Sequence, residues 1–412
     1  MKIVKFITNN NLFKSLFSGR LSLGASTVFF QIAMLFFILI LKLKMTDSVF
    51  ALFLVSLGVA SIFGAIASLR SEVLITQADR SCNVRALVWP ILIAVGTIGI
   101  MCAIRPAINW IFSIDVPLYT AALAFGFSLQ AICQFVMIQE AQFGRLLIIR
   151  AVQAAMLAIT GLALVFEASF MWGVFGFTLS LVVPFAVWIA LWMIENRHIT
   201  PPAFVFSWRQ IRRSLILSLT LLINTTAVNI PIILCVATQS ASYAADFGFL
   251  IKVFTAPVTL ANAMFGQLFL ADNIRLNSAI PAEAKKIQMA MRRTSTIAVL
   301  FVLSIAAITI IGVLMLAHFV PAMLTYPMLS ISIALAITAQ AAFSPVSAIG
   351  DIAKLETPFL LFYIMRIALL YGMLSNVSLI DFSALFASIN ILAYSFFWLY
   401  ADHRMRIFAR GA

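Results

Sequence analysis

The sequence predicts an all-α integral membrane protein of about twelve transmembrane helices, arranged in two six-helix lobes around a central cavity. Of its 412 residues, 63% are hydrophobic and 10% are charged, whereas an average soluble domain is about 25% charged. The apolar residues form runs of roughly 20, the length that crosses a bilayer as a helix. They do not alternate with polar residues as in an outer-membrane barrel. This composition excludes a soluble enzyme, a disordered chain and a disulfide scaffold.

Twelve apolar segments account for most of the chain. Each is about as long as a membrane-crossing helix, and polar or charged residues separate them. The segments are 21–41, 48–69, 86–104, 116–138, 146–166, 169–194, 214–236, 247–270, 295–317, 327–349, 357–374 and 382–400.

The positive charges indicate the orientation. With Arg150, four residues inside the fifth segment, counted with the connection before it, all but five of the 27 Lys and Arg residues fall before the first segment, in the even-numbered connections or after the last segment. Three lie on the opposite side, and Lys252 and Arg366 lie inside segments. Lys and Arg favour cytoplasmic loops, so both termini are predicted to be cytoplasmic, in a bacterial inner membrane. The net charge of +13 is then explained by basic cytoplasmic residues that lie beside anionic membrane lipids. We therefore expect membrane lipids, and no nucleic acid, as partners.

The connection 195–213 divides the chain almost in half. It contains Pro201 and Pro202, which oppose helix formation, and six predicted segments lie on each side. We therefore predict an N-terminal lobe at 1–194, a cytoplasmic linker at 195–213 and a C-terminal lobe at 214–412. Two halves of six segments have the same orientation, so a repeat would be related by an axis along the membrane normal.

Polar residues follow one face of several predicted helices. Such side chains do not face lipid at low cost, so they either bond to neighbouring helices or line a solvated cavity. Both alternatives stay open from sequence alone. The candidate cavity residues are Thr27 and Gln31 in the first segment, Gln130 and Gln134 in the fourth, and Asn224, Thr225 and Asn229 in the seventh.

Arg366 and Lys252 are the two cations placed deep inside predicted segments. Arg366 lies about 13 Å from the start of its segment at a 1.5 Å rise, near the middle of the bilayer. Lys252 lies roughly 9 Å from the start of its own by the same rise. An intramembrane charge is a functional hypothesis by default, and cations without embedded carboxylates favour an anionic substrate. Arg150, closer to a segment end, is expected to be an interfacial anchor.

Catalysis has no signature in the sequence. There is no GxxxxGK[ST] phosphate loop and no HExxH motif. The four cysteines are scattered, without a CxxC pair, so we expect neither a metal site nor a cofactor. We therefore predict that the chain is not an enzyme and that it transports a substrate.

Residues 21–80 resemble the polysaccharide or O-antigen flippases (Wzx type) of the multidrug/oligosaccharidyl-lipid/polysaccharide exporter superfamily. The resemblance is carried by Gln31 in a polar-faced first segment, by Phe-Ala-Leu-Phe at 50–53, and by Ser-Leu-Arg-Ser-Glu-Val-Leu-Ile at 68–75. Arg70 and Glu72 match the charged pair of a short family motif. The twelve-segment topology extends the resemblance over the whole chain.

The resemblance implies export of an undecaprenyl-pyrophosphate-linked oligosaccharide by alternating access of two lobes. It implies that Arg70 and Glu72 bridge helices at a cytoplasmic gate, and that a polysaccharide polymerase and glycosyltransferases act beside the protein. Two alternatives stay open: a multidrug or small-molecule exporter, or another twelve-helix secondary carrier. A membrane scaffold without transport activity is a further class, which predicts that loss of Arg366 has no effect on export.

Overall fold

The computed structural model consists mainly of α-helices in the part of the chain that it describes. It describes residues 19–69, 88–112, 114–139, 142–166, 169–195, 208–261, 280–343, 356–374 and 379–410, with the single residues 265, 269 and 346. Within these ranges there are twelve α-helices and one 3-10 turn at Pro321–Met323. The helices are α1 Gly19–Lys44, α2 Asp47–Ile66, α3 Val88–Phe112, α4 Tyr119–Gln139, α5 Phe143–Val165, α6 Phe170–Glu195, α7 Trp208–Thr238, α8 Ala241–Ala261, α9 Pro281–Phe319, α10 Leu329–Ala342, α11 Glu356–Leu374 and α12 Leu379–Arg410.

Each predicted segment corresponds to one helix. In the described part of the chain, eleven helices are long and apolar enough to cross a membrane, and α10 is a shorter apolar helix of 14 residues. The protein is therefore a multi-pass membrane protein by the length and composition of its helices. Hydropathy alone predicts these elements because every backbone polar group inside a bilayer must be bonded within its own helix.

Two helices extend well beyond the predicted segments. Helix α9 begins at Pro281 instead of residue 295, and α12 ends at Arg410 instead of residue 400. Asp402 in the extension of α12 accepts bonds from Arg292 Nε at 2.7 Å and Nη2 at 2.8 Å. The first turns of α9 and the last turns of α12 contain too many charged residues to be predicted as membrane-crossing from the sequence. Their contacts with each other stabilise them as helix.

The chain folds as two compact units, Met1–Asn229 and Ile230–Ala412. The division falls inside α7. The predicted linker 195–213 lies largely outside the described residues, which resume at Trp208. The predicted lobe boundaries therefore stay a prediction.

In the first unit, α1 packs against α5, α2 against α4, and both α4 and α5 against α6. Phe37 stacks on Phe177 with ring centroids 5.3 Å apart, and Phe53 meets Phe177 edge-on at 6.1 Å. All three rings are fully buried. Helices approach closely where glycine replaces a side chain, as at Gly64 of α2 against α4.

In the second unit, α10 packs against α8, α9 and α12, and α11 packs against α12. The centre of this packing is aromatic. Phe343, which follows α10, lies 4.8 Å from Phe397 and 5.5 Å from Tyr394 between ring centroids. Phe362 of α11 stacks on Phe397 at 4.2 Å. Helices α11 and α12 are thus fixed side by side by aromatic contacts, which position the arginine described next.

Candidate functional site

Arg366 lies in the second unit, between α11 and α12, and is 3% exposed. Its Nε and Nη2 donate to Oδ1 of Asn390 at 3.1 and 2.6 Å. Its guanidinium carbon lies 4.7 Å from the ring centroid of Tyr394. Nη1 is buried and has no hydrogen-bond partner among the described residues. An amide and an aromatic face orient the guanidinium without cancelling its charge.

Lys252 lies near the middle of α8, eleven residues after its first residue Ala241, or about 16 Å along the helix. It is half-buried. The described residues provide it with neither a hydrogen bond nor an ion pair. The sequence pattern predicts a position closer to a helix end, because the apolar segment begins at residue 247, after Asp246.

Asp246 is inside α8 and fully buried. Its Oδ2 accepts from the backbone N–H groups of Thr325 at 2.7 Å and Tyr326 at 2.8 Å. The carboxylate therefore caps the turn before α10. Helix α8 begins before Asp246, at Ala241. A carboxylate engaged in this way is a structural group, because its bonds to the backbone fix the turn.

The first unit contains a second buried arginine, Arg150 of α5, which is 6% exposed. Arg150 Nη1 donates to Oε1 of Gln153 at 3.0 Å, and Nη2 donates to Oε1 of Gln134 at 2.7 Å. Its guanidinium carbon lies 4.6 Å from the ring centroid of Phe30. Gln153 Nε2 in turn donates to the carbonyl of Ser180 at 3.1 Å. Arg150, Gln153, Gln134 and Gln130 thus form one polar cluster in the first unit.

The interpretation of Arg150 as an interfacial anchor is wrong, because an anchor extends its charged end toward water and this residue is buried. Gln130 and Gln134, predicted on one face of α4, are brought to it: Gln130 Oε1 lies 3.5 Å from the Gln153 amide nitrogen. Gln153 itself is absent from the predicted site. The signal that could have found it is its spacing of three residues from Arg150, which places both on one face of α5.

The predicted polar residues of α1 and α7 are half-buried, with the exception of Asn229. Thr27 and Gln31 of α1 are half-buried, and so are Asn224 and Thr225 of α7. Asn229 is 5% exposed and donates from Nδ2 to the carbonyl of Thr225 at 2.9 Å. Its side chain also lies against α2, because a Cβ at Gly58 would be 3.4 Å from Asn229 Oδ1. Whether these residues line a substrate cavity stays a prediction.

The predicted gate residues Arg70 and Glu72 lie outside the described residues, so the gate also stays a prediction. In the described ranges, no three His, Cys, Asp or Glu side chains come together as metal ligands would. Each unit thus contains positive charge within its helices: a buried arginine bonded to side-chain amide oxygen in each unit, and one half-buried lysine in the second. Such groups can bind an anion, because their charge is not cancelled by a carboxylate in the described part of the chain.

No protein-family model matches the sequence, and no curated protein matches it. The fold, in contrast, is similar to that of solved transporters. An inward-facing multidrug resistance MATE family transporter of the MOP superfamily matches with a TM-score of 0.64 and 14% identity, over 93% of this chain and 96% of that chain. An outward-facing MATE family transporter of the same superfamily matches with a TM-score of 0.57 and 15% identity, over 96% and 99%.

A MOP superfamily transporter from Pyrococcus furiosus Vc1 (DSM3638) matches with a TM-score of 0.57 and 13% identity, over 95% of this chain and 96% of that chain. For that protein, a binding pocket of reversed polarity suggests a different function. At these identities the likeness establishes the fold. The predicted class, an all-α membrane protein of about twelve helices in two six-helix lobes, is confirmed as a MATE-like fold.

Proposed function

We propose that this protein is a flippase that moves a lipid-linked oligosaccharide, such as an O-antigen or other surface polysaccharide repeat unit, across the bacterial inner membrane by alternating access. The MATE-like fold supports transport, since neighbours of this fold are transporters with inward-facing and outward-facing conformations. The resemblance of residues 21–80 implies that the substrate is an oligosaccharide linked to undecaprenyl pyrophosphate. Its negative charge is the property that the site must accommodate.

One observation carries the anionic substrate: three cations of the described helices, two of them buried and one half-buried, are not neutralised by a carboxylate there. Arg150, Lys252 and Arg366 form no ion pair with a carboxylate among the described residues. An unpaired charge is costly when it is buried or half-buried in a membrane helix, so the retention of such charges in three helices favours a role in binding an opposite charge. A pyrophosphate supplies that charge together with several acceptor oxygens.

Drug export is the alternative function, and two neighbours of this fold are described as multidrug resistance transporters. A cationic drug requires a negative site, and α1 contains neither Asp nor Glu. Of the buried carboxylates in the described part, Asp246 is bonded to backbone N–H groups and Asp402 to Arg292. This distribution supports an anion over a cation as the substrate.

The partners and location belong to the same proposal. Both termini are cytoplasmic, according to the distribution of Lys and Arg. Glycosyltransferases would build the substrate on the cytoplasmic leaflet, and a polysaccharide polymerase would use it after export. The protein itself needs no cofactor for this step, and membrane lipids surround its exposed apolar side chains.

The test is a flipping assay in proteoliposomes. A lipid-linked oligosaccharide carrying a fluorophore is incorporated in both leaflets, and a reductant that does not cross membranes quenches the label in the outer leaflet. Active protein should make the inner-leaflet label accessible, whereas protein-free vesicles should protect it. Export of a cationic dye without movement of the lipid would overturn the proposal in favour of drug export.

Matched variants separate a binding role from a general effect of charge. Arg366→Ala and Lys252→Ala should each lower the flipping rate at least tenfold, because each removes an uncompensated cation. Lys285→Ala removes an exposed cation of α9 and should leave the rate unchanged. If Arg366→Ala flips the substrate at the wild-type rate, the arginine has no part in transport, as a scaffold without transport activity would predict.

A further inference from the structure

Helices α11 and α12 form an apolar groove of about 480 Å³ on the second unit. Its rim consists of large residues that are mostly exposed, among them Leu361 at 57%, Met365 at 60%, Leu392 at 70% and Phe396 at 65%. In a membrane such surfaces face lipid chains. The groove extends along α11 from Thr357 to Leu369, about 18 Å at a 1.5 Å rise.

Arg366 is one of the residues that line this groove. Two donor groups, Nε and Nη2, are held side-on by Asn390. Nη1, at the far side of the planar guanidinium, is the buried atom that lacks a partner among the described residues. A buried guanidinium with a free N–H group demands an acceptor. An apolar groove lined in part by a buried guanidinium fits an amphiphile that has a long chain and an anionic oxygen.

The depth of Arg366 selects among such amphiphiles. It lies nine residues after Thr357, the start of a membrane-crossing stretch, or about 13 Å into a hydrocarbon core of about 30 Å. The phosphate of a resident phospholipid stays at the membrane surface, far from this depth. The phosphate of a lipid that is being moved between leaflets must pass it.

We propose that the α11–α12 groove holds the part of the polyprenyl chain nearest the pyrophosphate during the passage of the lipid, while a pyrophosphate oxygen accepts the free hydrogen bond of Arg366. This inference rests on the proposed function. The chain lies against Leu361, Phe362 and Phe396, between Arg366 and the end of the groove at Thr357. The arginine thus holds the head group halfway, and the groove keeps the chain in contact with lipid throughout.

A second groove, between α5 and α6 of the first unit, serves as the comparison. It has a volume of about 320 Å³ and is lined by Val152, Val183, Pro184 and Trp188, with Arg145 and Glu195 paired at one end. Its buried orphan donor is Trp188 Nε1. This donor is neutral, and it lies seven residues from the helix end at Glu195, or about 10 Å along α6. The α5–α6 groove therefore lacks a deep positive charge, which is the feature that would make the α11–α12 groove bind an anion.

The experiment measures binding of undecaprenyl pyrophosphate to the purified full-length protein by native mass spectrometry, with phosphatidylglycerol as competitor. Ala393→Phe fills the groove, and Leu361→Trp narrows it from an exposed position that tolerates a larger side chain. Each should raise the Kd at least tenfold. Arg366→Gln should do the same, and Arg366→Lys should retain more affinity than Arg366→Gln. Val183→Phe fills the comparison groove and should leave the Kd unchanged.

The inference is overturned if Leu361→Trp and Ala393→Phe, with wild-type thermal stability, bind undecaprenyl pyrophosphate as tightly as the wild type. It is also overturned if phosphatidylglycerol displaces the probe at equal concentration, since the groove would then be an ordinary lipid site. Failure of the proposed function is seen separately, as wild-type protein that does not flip lipid-linked oligosaccharide. Flipping by the wild type with unaltered binding by the groove variants contradicts this inference alone.

Discussion

Asn390 holds Arg366 through a single oxygen, which accepts from Nε at 3.1 Å and from Nη2 at 2.6 Å. The amide nitrogen of Asn390 donates to the Phe386 carbonyl at 2.7 Å, and this bond keeps the oxygen turned toward the arginine. Neutral Asn390 thus satisfies two donors of the guanidinium and leaves its positive charge intact. A carboxylate at the same position would satisfy the donors and cancel the charge.

Replacing Asn390 by leucine should destabilise the second unit. The substitution leaves two buried donors of Arg366 without an acceptor, at a cost of about 3 kcal/mol. We expect a lower thermal unfolding temperature in detergent. Ser388→Ala is the control, because exposed Ser388 bonds only within its own helix turn, to the Ala384 carbonyl at 2.9 Å. Equal unfolding temperatures for the two variants would show that Asn390 does not hold Arg366.

Replacing Asn390 by aspartate should separate fold from function. The introduced carboxylate would accept the same two bonds and pair with the guanidinium, so the protein should remain folded. The pair would neutralise Arg366, and we expect at least a tenfold lower rate of lipid flipping in proteoliposomes. Unfolding temperature and flipping rate are measured on one preparation. A rate equal to that of the wild type would mean that the charge of Arg366 is not used.

Replacing Arg150 by methionine should destabilise the first unit by about 3 kcal/mol, because the amide oxygens of Gln134 and Gln153 lose their donor. Arg150→Lys keeps the charge, but a single ammonium does not reproduce the planar fork that bonds both amides, so an intermediate loss is expected. The measurement is thermal unfolding. Arg145→Met is the control: its pair with Glu195 is about half-exposed and contributes about 0–1 kcal/mol. An equal effect of both methionine variants would contradict the buried role of Arg150.

The helices could be predicted from the sequence because length and hydropathy determine membrane crossing, whereas the partners of buried polar groups could not. Arg366 stands out by its position inside an apolar segment. Its partner Asn390 lies 24 residues away on the next helix, and the periodicity of one helix does not indicate which residue of a neighbour it meets. For the same reason the sequence does not distinguish Arg150 from an anchor.

The depth of Lys252 illustrates a different limit. The sequence predicts that Asp246 lies outside the membrane-crossing segment, since an unpaired carboxylate is costly inside a bilayer. The structure provides it with two backbone N–H donors from the turn at Thr325 and Tyr326. These donors are 79 and 80 residues away in sequence. The segment predicted from hydropathy therefore begins later than α8 does, and Lys252 is predicted to lie too near the end of the helix.

Replacing Asp246 by asparagine should loosen the turn before α10. One carboxylate oxygen accepts from both Thr325 and Tyr326, and loss of the charge weakens both bonds, by about 2 kcal/mol together. We expect faster hydrogen exchange in a peptide covering residues 320–328, measured by mass spectrometry. Asp115→Asn is the control, because the Asp115 side chain is 83% exposed. Unchanged exchange in that peptide would show that the carboxylate is dispensable for the turn.

Replacing Gly64 by alanine should lower the stability of the protein, whereas replacing Gly99 by alanine should raise it. A methyl group on Gly64 would lie 2.7 Å from Cβ of Phe127 and 2.9 Å from the Ala124 carbonyl oxygen. Since one of these neighbours is backbone, α2 and α4 must move apart, at a cost of about 1–3 kcal/mol. A methyl group on Gly99 of α3 has no neighbour within 4 Å, so Gly99→Ala should stabilise the helix by about 0.5–1 kcal/mol. Thermal unfolding of both alanine variants checks the pair. A stabilising Gly64→Ala would mean that α2 and α4 are not in close contact at this position.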